Sequence, residues 1–206
     1  MSIKVLGISA SPRVDGNSDL LLRQALAGAE AAGAGTEYIR LRDLNVAPCI
    51  ECNSCYKKGV CVVEDDYQML SSKMLEADRL ILATPIFFMT VCAQAKALID
   101  RCQCLWAKKY VLKQPLQTIG RDRRAMVIAV GGTRSKKMFE SIRLTAKYFL
   151  DVLEMSYAAN LFVNNIDAPG QIKQHPTAMD EAFRLGRKLV STDAPPLEKP
   201  INVELT

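Results

Sequence analysis

Apolar residues gather along the chain in short runs that end on small or polar residues, and the stretches between them carry apolar positions at helical spacing. IKVLGIS (3–9) is such a run and suits a strand buried on both faces. After a polar loop, Leu20, Leu21, Leu22, Ala25, Leu26 and Ala29 recur with the period of a helix that Asn17 or Ser18 can cap and that Gly33 and Gly35 stop. TEYIRL (36–41) alternates as a second strand, and residues 65–77 read as a helix starting at Asp65 or Asp66. RLILATPIFF (79–88) is a third strand whose end is marked by Pro85, since proline has no ladder donor. A helix follows from Ala93 to Trp106, then a fourth strand AMVIAV (125–130) that stops at Gly131 and Gly132. A helical segment (135–154), a fifth strand ANLFV (159–163) and an amphipathic segment TAMDEAFRLGRKLV (177–190) complete the alternation, with no internal repeat.

Strands alternating with helices need crossovers of one hand that return over the sheet, which predicts an α/β, doubly wound parallel sheet covered on both faces. Five strands in 206 residues favour the flavodoxin-like order 2-1-3-4-5, with a cysteine-rich insertion after strand 2. That order places a ligand beyond the carboxyl ends of the strands, at the switch between strands 1 and 3. Residues 1–192 are expected to form one domain that includes the cysteine segment 47–63. DAPPLEKPINVELT (193–206) has three prolines and no helical period, and is expected to be a C-terminal tail or an oligomerisation arm.

Composition narrows the function. The chain is 49% hydrophobic and 24% charged, has no run of eighteen apolar residues, and begins MSIKVLGISASP without the features of a signal peptide. The expectation is a cytoplasmic protein with no membrane partner. Net charge is +5, yet Arg121, Arg123, Arg124, Lys136, Lys137, Arg187 and Lys188 are scattered without interleaved aromatics, so they read as solvated surface and no nucleic-acid partner is expected. Seven cysteines, an odd number, in a reducing compartment disfavour a disulfide framework and leave metal ligation or redox chemistry.

Three loops follow strand ends. SASPRVDGNS runs from Ser9 through Ser11, Pro12, Arg13, Gly16 and Asn17 to Ser18, immediately before a helix, where N–H groups and the helix dipole favour a phosphate and Arg13 adds a permanent cation. Neither GxxxxGK[ST] nor GxGxxG is present, so a terminal monophosphate suits it better than a triphosphate or a dinucleotide; a plain loop with a good helix cap accounts for it equally. TPIFFMTVCAQAKALID offers rigid backbone and an apolar wall for a flat ring, unless Phe87 and Phe88 are simply core. GGTR lets backbone approach a ligand closely.

Cys49, Cys52, Cys55 and Cys61 form C-x2-C-x2-C-x5-C, a set of thiols that can hold an iron–sulfur cluster. Zinc, or a thiol redox site without metal, is the alternative. Cys92, Cys102 and Cys104 lie in apolar stretches and read as buried packing residues, with Cys92 retained as a redox candidate because of its loop. His175 reads as exposed loop, and Trp106 and Tyr110 as packing.

SPRVDGNS after the first strand, TPIFF with AQAKALIDR downstream, and VGG after the fourth strand resemble the flavodoxin-like NAD(P)H-dependent FMN reductase superfamily across residues 3–165. The resemblance implies FMN, its phosphate held by Ser9, Ser11, Arg13, Asn17 and Ser18 in the loop that also contains Pro12 and Gly16. It implies that Pro85, Ile86, Phe87 and Phe88 line the isoalloxazine, with Gly131, Gly132 and Thr133 near its other edge. Phe87 stands where many relatives have tyrosine, Met89 and Cys92 where Gly and Ser are common, and GGTRSKKMFE lacks a further glycine pair. The cysteine spacing resembles the compact motif of the iron-sulfur flavoproteins, in which the residues matching Cys49, Cys52, Cys55 and Cys61 bind one four-iron four-sulfur (4Fe-4S) cluster beside FMN. The implied protein is an oxidoreductase that moves electrons between cluster and FMN, with a ferredoxin or NAD(P)H as donor, a small molecule or protein as acceptor, and a homodimeric or homotetrameric assembly. A cluster-free FMN or quinone reductase and a non-catalytic zinc-bearing phosphate-binding module are the alternatives.

Overall fold

The computed structural model describes residues 2–116, 120–192 and 198–206; positions 193–197 of the expected tail lie outside the described residues. The chain runs β1 (Lys4–Ser9), α1 (Asn17–Ala31), β2 (Gly35–Arg40), α2 (Cys55–Lys58), α3 (Tyr67–Glu76), β3 (Arg79–Phe87), β4 (Thr90–Val91), α4 (Ala93–Arg101) and α5 (Gln103–Trp106). It continues through a π-helical turn (Ala107–Val111) to β5 (Arg124–Val130), α6 (Met138–Val152), β6 (Ser156–Val163), α7 (Ala178–Leu189) and β7 (Ile201–Leu205).

The sheet is parallel in the order β2-β1-β3-β5-β6-β7, with β4 paired antiparallel to β3. Among the described residues seven strands replace the five expected. The five predicted strands are β2, β1, β3, β5 and β6, consecutive in the sheet. The sixth parallel strand is INVEL, where Ile201, Val203 and Leu205 alternate inward and pair with Ala159, Leu161 and Val163 of β6. Its period-two pattern is too short to stand out after a proline-rich stretch.

β4 arises because Pro85 does not end β3. β1 stops opposite Ala83, so Pro85 sits where the sheet has already opened on that side, while it still pairs with Val130 of β5. β3 continues to Phe87 and turns back through Phe88 (φ 46°) and Met89 (φ 65°). This two-residue turn has both central residues left-handed, the geometry that favours glycine or asparagine.

Two apolar cores flank the sheet. Leu6, Ile8, Leu80 and Leu82 face α3, α4 and α6, and Val5, Ile81, Ile128 and Leu161 face α1 and α7. The helix expected from Ala93 to Trp106 breaks at Cys102.

The arginines of the β5 approach correct another expectation, for Arg123 and Arg124 are buried. Arg123 donates from Nε to the Ala77 carbonyl (3.0 Å), from Nη2 to Met74 (2.5 Å) and from Nη1 to Leu153, so one cation meets the carbonyl ends of both α3 and α6. Arg79, also buried, donates to the Leu189 carbonyl (2.7 Å) and pairs with Asp122 (3.0 Å). None of the described helices is long and apolar enough to cross a membrane.

Candidate functional site

β1, β3 and β5 end together, and the loops leaving them meet the loop after β6 around a cavity of about 60 Å³. Ser11, Pro12, Arg13, Gly16, Asn17 and Ser18 line one side; Pro85, Ile86, Phe87, Val130, Gly132, Ile166 and Asp167 line the other. The structure thus gathers most of the residues expected at a phosphate and ring site. Ser9 is buried at the end of β1, outside the cavity lining. Phe88 projects fully into solvent at the hairpin apex, and Phe87 is 45% exposed, so neither is core. Gly131 turns against Met138, where a Cβ would come within 2.6 Å of the sulfur, and Thr133 Oγ1 points to the same sulfur at 3.6 Å.

Helix α1 begins without a side-chain cap. Gly16 holds the cap position, and neither Asn17 nor Ser18 fills the expected role. Asn17 instead ties the helix start to the loop after β6: Nδ2 donates to the Ala168 carbonyl (3.0 Å) and Oδ1 accepts the Ile172 N–H (3.2 Å). Ser18 is 2% exposed, and its Oγ has no hydrogen-bond partner among the described residues. The first N–H groups of a helix also lack intrahelical acceptors. A buried hydroxyl without a partner, at a helix N-terminus, on the wall of a small cavity, fits an anionic group.

Short contacts shape the loop along this cavity. Ser11 Oγ accepts the Arg13 N–H (3.2 Å) and donates to the Arg13 carbonyl (3.1 Å), and a Cβ at Gly16 would lie 2.3 Å from that oxygen. Arg13 Nη1 rests on the Asp167 carbonyl (3.2 Å) at the rim. Ile166 and Asp167 were missed from sequence, although the rule that sends ligands to carboxyl ends of strands points equally to the loop after β6. At about 60 Å³ the cavity matches a phosphate rather than a whole flavin, for which pockets of about 300 Å³ or more are usual. A ring attached to that phosphate would lie across the open face of Pro85, Ile86 and Phe87.

Cys49, Cys52, Cys55 and Cys61 line a second cavity, of about 760 Å³, together with Arg101, Cys104, Trp106 and Tyr110. The loop reverses through left-handed residues at Glu51 (φ 51°) and Asn53 (φ 56°), and Gly59 (φ 67°) ends α2 after one turn. All seven thiols are free. Burial raises the Cys55 pKa, and Cys49, Cys52 and Cys61 add to the rise through their charge, so the thiols crowd one another. Cys52 is held below its ordinary value by hydrogen bonds from Ser54.

No three His, Cys, Asp or Glu side chains among the described residues are drawn together around a single ion. Four thiols at one cavity are the donor type that an iron–sulfur cluster takes, and zinc takes the same donors.

The other cysteines differ in surroundings. Cys104 is buried at the same cavity, with Tyr67 Oη 3.3 Å from its sulfur. Burial pushes the Cys102 thiol up to about 12. Cys92 is buried and donates to the Ala10 carbonyl (3.0 Å), a link between the β1 and β3 loops. Trp106 packs between Tyr56 and Tyr110, with ring centroids 6.1 and 5.9 Å apart. His175 is half-buried and its Nδ1 accepts the Thr177 and Ala178 N–H groups (3.3 and 3.2 Å) at the start of α7, so it caps a helix instead of lying free in a loop.

Residues 3–165 match the NADPH-dependent FMN reductase family. An iron-sulfur flavoprotein of Methanocaldococcus jannaschii is 35% identical over 198 residues, covering 91% of this chain and 95% of its own. An iron-sulfur flavoprotein of Archaeoglobus fulgidus is 31% identical over 202 residues, covering 95% and 97%. Among solved structures, the NAD(P)H:quinone oxidoreductase from Methanothermobacter marburgensis superposes with a TM-score of 0.73 at 17% identity, covering 94% of this chain and 99% of that one, a likeness of fold.

Proposed function

The chain belongs to the NADPH-dependent FMN reductase family, in its iron-sulfur flavoprotein branch, and is a flavin-dependent oxidoreductase; from that premise we propose that it passes electrons between FMN and a four-iron four-sulfur cluster. The observation that carries this reading is the meeting of Cys49, Cys52, Cys55 and Cys61 at one cavity, in a chain whose strand ends form a separate anion cradle.

Ser18 and the first N–H groups of α1 receive the FMN phosphate, Ser11 shapes the loop around it, and Arg13 supplies a cation at its rim. Pro85, Ile86 and Phe87 form the apolar floor of the ring, and Gly132 leaves room at its far edge, where a Cβ would crowd Asp167 at 3.1 Å. When bound, the flavin takes two electrons and releases them singly while a cluster carries one at a time, so the pair converts between the two currencies. NAD(P)H or a ferredoxin is the donor, and a small molecule or protein the acceptor.

Self-association as a homodimer or homotetramer is part of the proposal. Phe87, Phe88 and Met89 at the flavin cradle, and Tyr56, Tyr110 and Tyr148 at the thiol cavity, are exposed, and both cofactors would otherwise face water.

Anaerobic purification followed by an absorbance spectrum and iron, sulfide and zinc analysis tests the reading. The expected result is one FMN with about four irons and four sulfides per chain. FMN without iron, from iron-replete cells handled without air, would make the protein a cluster-free reductase, and zinc in place of iron would overturn the electron-transfer role of the thiols.

A further inference from the structure

Arg101 closes the thiol loop. It ends α4, is 1% exposed, and reaches both ends of the loop: Nη1 donates to the Ala47 carbonyl (2.9 Å) and Nη2 to the Val63 carbonyl (2.8 Å). The same two nitrogens grip Asp65 bidentately at 2.6 and 3.1 Å, and Asp65 Oδ2 accepts the Ala47 N–H at 2.9 Å. The guanidinium lies over the Tyr67 ring, 4.6 Å from its centroid. Everything on the fork side of this arginine is therefore occupied.

Its Nε is not. That N–H is buried without a hydrogen-bond partner among the described residues, and Arg101 is part of the wall of the thiol cavity. The other buried arginines do not leave this donor idle: Nε of Arg79 meets the Leu189 carbonyl, Nε of Arg123 the Ala77 carbonyl, and Nε of Arg124 the Asp122 carboxylate. A buried charged donor left without an acceptor is costly, so an orphaned N–H on the wall of this cavity points to an acceptor bound in it. Cys61 lines the same cavity as Arg101.

We infer that Arg101 is a positioning residue for the cluster: its fork fixes the two ends of the thiol loop, and its Nε–H donates to a sulfur of the bound cluster. The inference rests on the cluster reading above. A hydrogen bond to a cluster sulfur draws off negative charge and so favours the reduced state, which raises the reduction potential.

The test is pulsed electron paramagnetic resonance on dithionite-reduced holoprotein grown with arginine carrying ¹⁵N at Nε. A ¹⁵N hyperfine coupling to the cluster is expected in the unaltered protein, and among the described residues Arg101 is the arginine that lines this cavity. Arg101→Lys keeps a positive charge; the coupling should vanish, and the potential should fall while iron content is retained. If that variant fails to assemble, the measurement on the unaltered protein still decides. A cluster signal without ¹⁵N coupling overturns the role of Arg101 and leaves the cluster standing. Absence of iron from the unaltered protein, purified without air, overturns the cluster and this inference together.

Discussion

Ser18 separates binding from stability at a single atom. Its hydroxyl is buried without a partner among the described residues, so the cofactor-free protein has no hydrogen bond to lose when it is removed, while a phosphate held in the proposed cradle would lose one. Ser18→Ala is expected to weaken FMN binding tenfold to a hundredfold, the worth of about 1.5–3 kcal/mol for a hydrogen bond to a charged group. The melting temperature of the FMN-free protein should stay level or rise slightly. Fluorescence titration with FMN and melting of both apoproteins check the two halves, and an unchanged affinity would remove Ser18 from the cradle. Ser18 was legible in sequence because it stands in a short segment between a strand and a helix; the form of its contribution was not. A cap and a ligand contact use the same oxygen, and only the position of Gly16 at the cap shows that the oxygen is spare. The Arg101–Asp65 pair was not legible at all. Its members are 36 positions apart, and nothing in a charge pattern distinguishes a buried bidentate pair from two solvated side chains.

At the scale of elements, α1 and α7 meet backbone to backbone. A Cβ on Gly28 of α1 would lie 2.1 Å from the Phe183 carbonyl oxygen of α7, and a Cβ on Gly186 of α7 would lie 1.9 Å from the Ala25 carbonyl oxygen of α1. Each glycine thus receives the other helix, and no side-chain rotation relieves either clash. Gly186→Ala is expected to destabilise by about 3 kcal/mol, the upper part of the range for overpacking, because two helices must move apart. Urea unfolding reads this as a lower midpoint at unchanged slope. A variant as stable as the parent would show that the pair can slide without loss. Periodicity predicted both helices, yet it treats Gly186 as a weak helix former and cannot show that the contact requires it. The same limit produced the errors at Pro85 and Cys102. A proline ends a strand only where a neighbour needs its N–H, and β1 has already stopped opposite Ala83. Cys102 interrupts a helix whose apolar spacing continues through Trp106, so spacing alone carried the prediction past the break.

For the whole molecule, the sheet divides labour between its middle and its edge. The cradle lies where β1, β3 and β5 end, whereas β7 covers β6 at the margin and ties itself down through Arg143 to Glu204 and through Asn160 Nδ2 to Asn202 Oδ1 (2.7 Å). Deleting residues 199–206 removes three half-buried apolar side chains, Ile201, Val203 and Leu205. At about 1 kcal/mol each the loss is about 3 kcal/mol, which for a chain of this size lowers the melting temperature by about 6–12 °C. The edge meets the site through the Asn164 N–H, which donates to the Leu205 carbonyl at 3.1 Å beside the loop that brings Ile166 and Asp167 to the cradle. FMN affinity should therefore fall by no more than about tenfold, the worth of a single hydrogen bond. The uncovered β6 offers its free edge to another chain, so the truncated protein should form larger species on a sizing column at high concentration. Melting, FMN titration and sizing of the same preparation separate the possibilities. A large loss of FMN binding at an unchanged melting temperature would mean that β7 serves the cradle rather than the sheet, and would reverse the division of labour argued here.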